Sequence, residues 1–267
     1  MLHYIETGTG PAVVLLHAFP VDSALWASQR RPLGTAGFRV ITPDLPGFGG
    51  SPLSPLAPSL DVMADEVVAT MDGLGVERAI VGGLSMGGYV VMAMLRRHPD
   101  RMAGIVLADT KGGLDPAPAI ANRLAMADAV QAAGRAQVIA DAMIPNLLGT
   151  TTRAERGEVE TAVRRWIGAQ RAGAIAWAQR AMAVRPDSLP DIAAFGGPVL
   201  VLYGDEDVLS PASEAALMAE AARSGGSPTQ VVEIPRSGHL TAVENPDAVV
   251  HALSSWLPGA VGHSGLA

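Results

Sequence analysis

Cysteine is absent from the 267 residues. No disulfide can form, no thiolate can serve as nucleophile, and no cysteine-based zinc site is available. A reducing cytosol is compatible with that absence. Long apolar runs are missing too: stretches such as Ala12–Leu16 fall far short of the roughly 18 residues that span a bilayer. No basic segment stands ahead of an apolar one at the N-terminus, so no signal peptide is expected. The chain reads as soluble and cytoplasmic, with no membrane partner. Positive charge is scarce: Lys and Arg number 19 against 26 Asp and Glu, for a net charge of −7. The basic residues, nearly all Arg, are scattered among acidic ones, which leaves no basic face for nucleic acid.

Apolar residues make up 49% of the chain and charged residues 17%, the reverse of a disordered composition. A chain of this size buries roughly 70–75% of the surface its unfolded form exposes, so a core forms without staples. Thirty Gly and twenty Pro point to many loops, with no G-X-Y period and no longer repeat.

Short apolar runs alternate with helical stretches. Strands are expected at Pro11–Leu16, Phe38–Thr42, Arg78–Val81, Gly104–Ala108, Pro198–Tyr203 and Gln230–Ile234. Helices are expected at Asp61–Leu74, capped by Ser59, at Met86–His98 and at Asn245–Leu257. Between Lys111 and about Pro190 the strand-like runs vanish, and four or so amphipathic helices, broken at Pro145 and Gly149, take their place. Continuous apolar strands alternating with helices imply an α/β fold with a mostly parallel sheet covered on both faces. A helical block inserted between its halves suggests a cap over the carboxyl edge, where open sheets bind ligands. The resulting division is a discontinuous core of residues 1–110 and 191–260, a helical cap of 111–190, and a flexible tail of 261–267.

Gly83-Leu84-Ser85-Met86-Gly87 is the strongest local signal. It ends a strand and opens a helix, and the glycines remove the Cβ atoms that would clash in so tight a turn. Ser85 Oγ is thereby raised above the sheet edge at a helix N-terminus. A serine nucleophile needs a base, and the base needs an orienting carboxylate. His239, in Arg236-Ser237-Gly238-His239, follows the strand Gln230–Ile234. Asp207, in Gly204-Asp205-Glu206-Asp207, follows the strand Pro198–Tyr203. Asp205 competes as a turn or cap residue, and Asp109 is a second rival acid whose preferred reading is a satisfied loop carboxylate. His17 could also reach the site, but it reads better as a structural hydrogen bond beneath the following loop. The oxyanion donors expected are the backbone N–H groups of Met86 and of Phe19 in His17-Ala18-Phe19-Pro20, with Ala18 as the fallback. Losing one such donor typically costs roughly 3–4 kcal/mol of transition-state stabilisation. No His, Asp or Glu spacing suits a metal, and Gly47-Phe48-Gly49-Gly50 lacks the Lys-Ser/Thr of a phosphate loop, so a tight turn suffices for it.

HAFP (17–20), DLPGFGGS (44–51), GLSMGG (83–88), GDED (204–207) and SGH (237–239) together resemble the α/β-hydrolases nearly end to end. The resemblance implies an eight-stranded sheet, a helical lid, and a Ser–Asp–His triad that needs no cofactor. The chain is similar to small esterases, to enol-lactone hydrolases and to cofactor-free haloperoxidase-like perhydrolases. One departure is Ala18, where the family often has glycine after the histidine; alanine keeps the N–H but reduces the freedom of φ.

The expected activity is hydrolysis of small, largely apolar carboxylic esters through an acyl-enzyme, with a lid rich in Ala, Met and Leu favouring short or medium acyl chains over charged ones. A lactonase of enol-lactone or acyl-homoserine-lactone type is the alternative, followed by a perhydrolase. The reading from another class is a catalytically silent fold that binds a small molecule. Trp26, Met143, Leu147, Leu148, Trp166, Trp177 and Met182 are the candidate pocket residues, each with simple core packing as its alternative.

Overall fold

In the computed structural model, which describes residues 1–266, each of the six apolar runs becomes a strand. In chain order the elements are β1 (Tyr4–Thr7), β2 (Ala12–Leu16), α1 (Ala27–Thr35), β3 (Arg39–Pro43), α2 (Leu60–Gly73), β4 (Ala79–Leu84), α3 (Met86–Arg97) and β5 (Met102–Ala108). An inserted block follows: α4 (Ala117–Ala133), α5 (Ala140–Leu147), α6 (Thr150–Glu155), α7 (Gly157–Ala169), α8 (Ala172–Ala183) and α9 (Leu189–Ala194). The chain returns to the sheet with β6 (Val199–Gly204), α10 (Ala212–Ser224), β7 (Thr229–Ile234), α11 (Thr241–Glu244) and α12 (Pro246–Ser264).

The strands form one sheet in the order β1-β3-β2-β4-β5-β6-β7, antiparallel only at the β1–β3 edge. Seven strands stand among the described residues, against the eight that resemblance implies. β2, β4 and β5 are buried along their whole length, as strands covered on both faces must be. β7, at the open edge, is mostly half-exposed and carries the polar residues Thr229, Gln230 and Glu233. β1 has no apolar run to announce it and exists through its pairing with β3. The order reverses between β2 and β4, because β3 lies to one side and β5 to the other. This switch point opens a crevice at the carboxyl ends of the strands, and the loops starting at His17 and Ser85 border it.

The helices follow local chemistry where that is decisive. Ser59 Oγ accepts the Asp61 N–H at 3.1 Å and starts α2. Two expected breaks do not occur. α5 runs through Pro145 to Leu147, and α12 passes Pro258 to reach Ser264, beyond the expected end at Leu257. Val249, Ala252, Leu253, Trp256, Leu257 and Ala260 bury one stripe of α12 against the core, and that burial outweighs the hydrogen bond lost at the proline. No helix among the described residues is long and apolar enough to cross a membrane.

The β4–α3 bend depends on two glycines. A Cβ on Gly83 would lie 2.1 Å from the Gly87 carbonyl carbon, and one on Gly87 would lie 2.3 Å from the Leu16 oxygen. Both obstacles are backbone and cannot swing away. Gly87→Ala is therefore expected to lower unfolding stability by roughly 1–3 kcal/mol, whereas Gly113→Ala, where a Cβ would meet nothing within 4 Å, should change it by less than about 0.5 kcal/mol. Urea denaturation of the two variants checks the contrast.

Candidate active site

Ser85 stands between β4 and α3 with φ 54° and ψ −111°. Positive φ places its Cβ against the backbone, at a cost of order 1–3 kcal/mol that surrounding structure must offset. The surroundings hold it from three sides. The Ser85 N–H donates to the Ala108 oxygen at 2.9 Å, the Tyr89 N–H donates to the Ser85 oxygen at 3.2 Å, and Thr110 Oγ1 donates to that same oxygen at 2.8 Å. The side chain is left facing the crevice.

His239 arrives from the loop after β7, and Asp207 from the loop after β6. Ser85 Oγ lies 2.7 Å from His239 Nε2, and His239 Nδ1 lies 2.8 Å from Asp207 Oδ2. The second carboxylate oxygen, Oδ1, accepts the N–H groups of Leu209 at 2.8 Å and Ser210 at 3.0 Å. Burial pushes the Asp207 carboxyl up, but the facing His239, its hydrogen bond and the two loop N–H groups outweigh burial and hold it below the ordinary range. An ionised Asp207 fixes hydrogen on Nδ1 and leaves Nε2 free to accept the serine hydroxyl.

The rival acids do other work. Asp205 Oδ1 accepts the Ser237 N–H at 3.0 Å and closes the turn before the histidine. Asp109 is fully buried, and its carboxyl ties three carboxyl-edge loops together. Oδ1 accepts the Gly204 N–H at 3.1 Å, and Oδ2 accepts the hydroxyl of Thr241 at 2.5 Å and its N–H at 3.3 Å. Burial first, and the nearby Asp207 second, push its carboxyl well above the usual range. Glu244 ties the histidine loop to the insertion, accepting the Leu240 N–H at 3.0 Å and the Gly149 N–H at 2.8 Å. The His239 N–H itself donates to the Leu147 oxygen at 3.2 Å.

His17 is buried beneath the loop that follows β2. Its Nε2 accepts the Leu45 N–H at 2.9 Å, so the hydrogen sits on Nδ1, which donates to the Ala18 oxygen at 2.9 Å. Burial lowers its pKa and keeps the ring neutral. Phe48, from the Gly47–Gly50 turn, packs edge-on against His17 at 5.3 Å and Phe19 at 6.3 Å between ring centroids. The turn thus braces the loop bearing Ala18 and Phe19. The contact of Gly87 with the Leu16 carbonyl sets this loop beside the start of α3, where Met86 stands.

A cavity of about 190 Å³ opens on Ser85, His239 and Phe19. Of the seven expected pocket residues it takes Met143, Leu147 and Met182. The other four do not line it. Trp26 is in the core, 1% exposed, Leu148 is buried beside Gly149, and Trp166 packs half-buried against the core. Trp177 turns the other way and donates its indole N–H to the Leu56 oxygen at 3.0 Å. Packing against distant segments decides these outcomes, and composition carries no information on it. The missed lining includes Tyr89, one turn after Ser85, and Leu209 and Ser210, just past Asp207; proximity to the two site residues is a signal for all three. Lys111, Asn122, Arg123 and Gln179 also reach the cavity, so its wall is not the apolar surface that Ala, Met and Leu suggest. A larger surface hollow of about 830 Å³ near Arg78, Arg96 and Phe195 contains none of these residues.

A family model described as the alpha/beta hydrolase fold matches residues 11–246. Among solved structures, an esterase from Thermogutta terrifontis, with malate bound, is 39% identical, with a TM-score of 0.92 over 97% of this chain and 93% of its own. An enol-lactonase from Burkholderia xenovorans LB400 is 26% identical, with a TM-score of 0.86 over 96% of each chain. A bifunctional epoxide hydrolase 2 from Sus scrofa is 36% identical over 111 residues, which are 41% of this chain and only 20% of the relative.

The buried Asp109 carboxyl gives a stability test. A folded-state pKa raised above the unfolded value means that its stabilising contribution is complete at low pH and fades as pH rises from about 4 towards the folded pKa. Asp109→Asn removes that titration while keeping shape. In urea denaturation at pH 5 and pH 8, the wild type should lose stability relative to Asp109→Asn as pH rises; a difference that stays flat, or moves the other way, means that burial and Asp207 do not raise the Asp109 pKa.

Proposed function

The chain belongs to the alpha/beta-hydrolase family, and we propose that within it the protein is a serine hydrolase of small carboxylic esters. The observation that carries this reading is the unbroken chain from Ser85 Oγ through both nitrogens of His239 to Asp207, at 2.7 and 2.8 Å. His239 Nε2 takes the hydroxyl proton as Ser85 Oγ attacks the ester carbonyl carbon. The tetrahedral oxyanion is received by the N–H groups of Met86 and Phe19, with Ala18 as the alternative second donor. As the bond to the leaving alcohol breaks, His239 returns the proton to its oxygen. Water then enters, His239 takes its proton, and hydroxide attacks the acyl carbon; the serine oxygen leaves and recovers the proton. Asp207 holds the imidazole tautomer and stabilises the imidazolium in both halves. In this scheme residues 111–190 act as the cap that shapes the cavity and limits water.

A lactone is the cyclic case of the same chemistry, and the whole-length likeness to an enol-lactonase supports including it. Epoxide opening is a different case. Attack of Ser85 on an epoxide carbon would leave an ether, which a water activated by His239 does not release. A carboxylate would be needed at position 85, and serine stands there.

Fluorophosphonate labelling with a panel of p-nitrophenyl esters from acetate to decanoate, and a panel of lactones, tests the proposal. The wild type should be labelled at Ser85 and turn over the short esters fastest, and Ser85→Ala should lower kcat by at least about 10⁴-fold. An unlabelled protein inert on every substrate would be a silent binding fold instead. Asp207→Asn presents a donor to Nδ1, forces the hydrogen onto Nε2, and should lower kcat about 10⁴-fold. Asp109→Asn should stay within about tenfold of wild type; if it falls as far as Asp207→Asn, the acid has been misassigned.

A further inference from the structure

Two cations line the cavity over Ser85, and acyl transfer from a neutral ester uses neither. Lys111, the only lysine in the chain, is half-buried; it has no hydrogen-bond or ion-pair partner among the described residues. Arg123, on α4, reaches the same space. No carboxylate lines the cavity. The acid behind it, Asp115, is already shared: Oδ2 accepts Arg123 Nε at 2.7 Å and Oδ1 accepts Arg185 Nη2 at 2.7 Å. Burial pushes the Asp115 carboxyl up, but Arg123, Arg185 and Lys111 together hold it below the ordinary range, so one negative charge answers three positive ones.

The remaining donors of Arg123 are poorly engaged. Nη1 meets Gln179 Oε1 at 3.3 Å and Met182 Sδ at 3.4 Å, both long or weak, and Nη2 has no partner among the described residues. Arg185 stands behind the wall, its guanidinium carbon 4.3 Å from the centroid of Tyr89, a lining residue. With Asp115 the one acid facing three partly desolvated cations, the excess positive charge beside the cavity is costly to hold and is most readily balanced by a ligand anion. In a chain of net charge −7, such a locally positive cleft draws anions inward against the overall charge.

We propose that this end of the cavity is an anion subsite, and that the substrate is an ester or lactone bearing a second, carboxylate group. The carboxylate is held by the Lys111 ammonium and the free edge of Arg123, while the ester carbonyl lies at Ser85. The volume of about 190 Å³ is below the roughly 300–1,000 Å³ of pockets for drug-sized ligands. It suits the half-ester of a short dicarboxylic acid or a small carboxylated lactone. This inference rests on the serine-hydrolase reading and names the substrate class of that site, replacing the expectation that charged acyl chains are disfavoured.

The test compares monomethyl glutarate with the methyl ester of glutaramic acid, its neutral isostere, in the wild type, Lys111→Gln and Lys111→Gln/Arg123→Gln. Wild-type kcat/KM should be at least about tenfold higher for the anion, carried mainly in KM, since a charge-assisted hydrogen bond contributes roughly 1.5–3 kcal/mol and 1.4 kcal/mol is a factor of ten. The ratio should fall towards one in the variants, and KM for the anion should rise with salt. A variant that is merely damaged lowers both rates and leaves the ratio in place. A wild-type ratio at or below one, or a ratio unchanged by both variants, overturns the subsite. Fluorophosphonate labelling of Ser85 in each protein reads the acyl-transfer machinery separately, and its failure sinks the hydrolase reading instead. Independently of turnover, monomethyl glutarate should protect Lys111 of Ser85→Ala protein from amine acetylation, read by mass spectrometry, and the neutral isostere should not; equal protection by both also overturns the subsite.

Discussion

Everything at the carboxyl edge is arranged around a serine held at φ 54°. That conformation survives because the sheet and α3 close on it: Ser85 is bonded to the ends of β5 and of its own helix, and the neighbouring glycines admit the Leu16 carbonyl and the first turn of α3 at distances no side chain tolerates. The strain has a geometric consequence. Oγ is directed out of the sheet towards the switch-point crevice, where loops from β2, β6 and β7 can meet it. Without the bend, the hydroxyl would lie along a buried strand end and the imidazole would have nothing to face.

The loops that meet there are held by buried acids rather than by apolar packing alone. Asp109 binds the end of β6 and the residue two past His239, and Glu244 binds the histidine loop to the start of α6. With the His239 N–H on the Leu147 oxygen, the proposed base is bonded to the insertion as well as to the core. The segment 147–149 is therefore part of what orients the imidazole, and its geometry and that of the cavity wall are coupled. Buried networks of this kind stabilise a unique arrangement when every member is satisfied.

The cavity departs from what its helices suggest on average. α4 and α8 lie side by side and are rich in alanine and methionine, yet they deliver Arg123 and Gln179 to the space above Ser85, together with Met126 and Met182. A sparse set of polar groups in an apolar wall is the usual construction of a small-molecule site, and here that set includes two cations and no carboxylate. The resemblance to esterases and lactonases is a likeness of frame; the charge inside the frame belongs to this chain's own residues.

Much of this architecture is legible in the primary structure because it is locally encoded. Fully buried parallel strands read as unbroken apolar runs, the glycine-flanked serine announces its own bend, and Asp207 and His239 are recognisable from their positions just past β6 and β7. Other features depend on partners distant in sequence. β1 is a strand through its pairing with β3, α12 continues past Pro258 because its buried stripe outweighs one lost bond, and Trp177 faces Leu56 because of the rotation of α8. Both Asp207 and Asp109 follow strands, so the preference for Asp207 rests on chain order, and the approach of the imidazole supplies its physical ground. Neighbouring residues suffice to tell which loops carry a hydroxyl, an imidazole and carboxylates, since strand ends and tight turns are locally encoded. Which helix faces line the cavity, and that two cations and no carboxylate stand among its lining, follow from how segments distant in sequence turn as they pack.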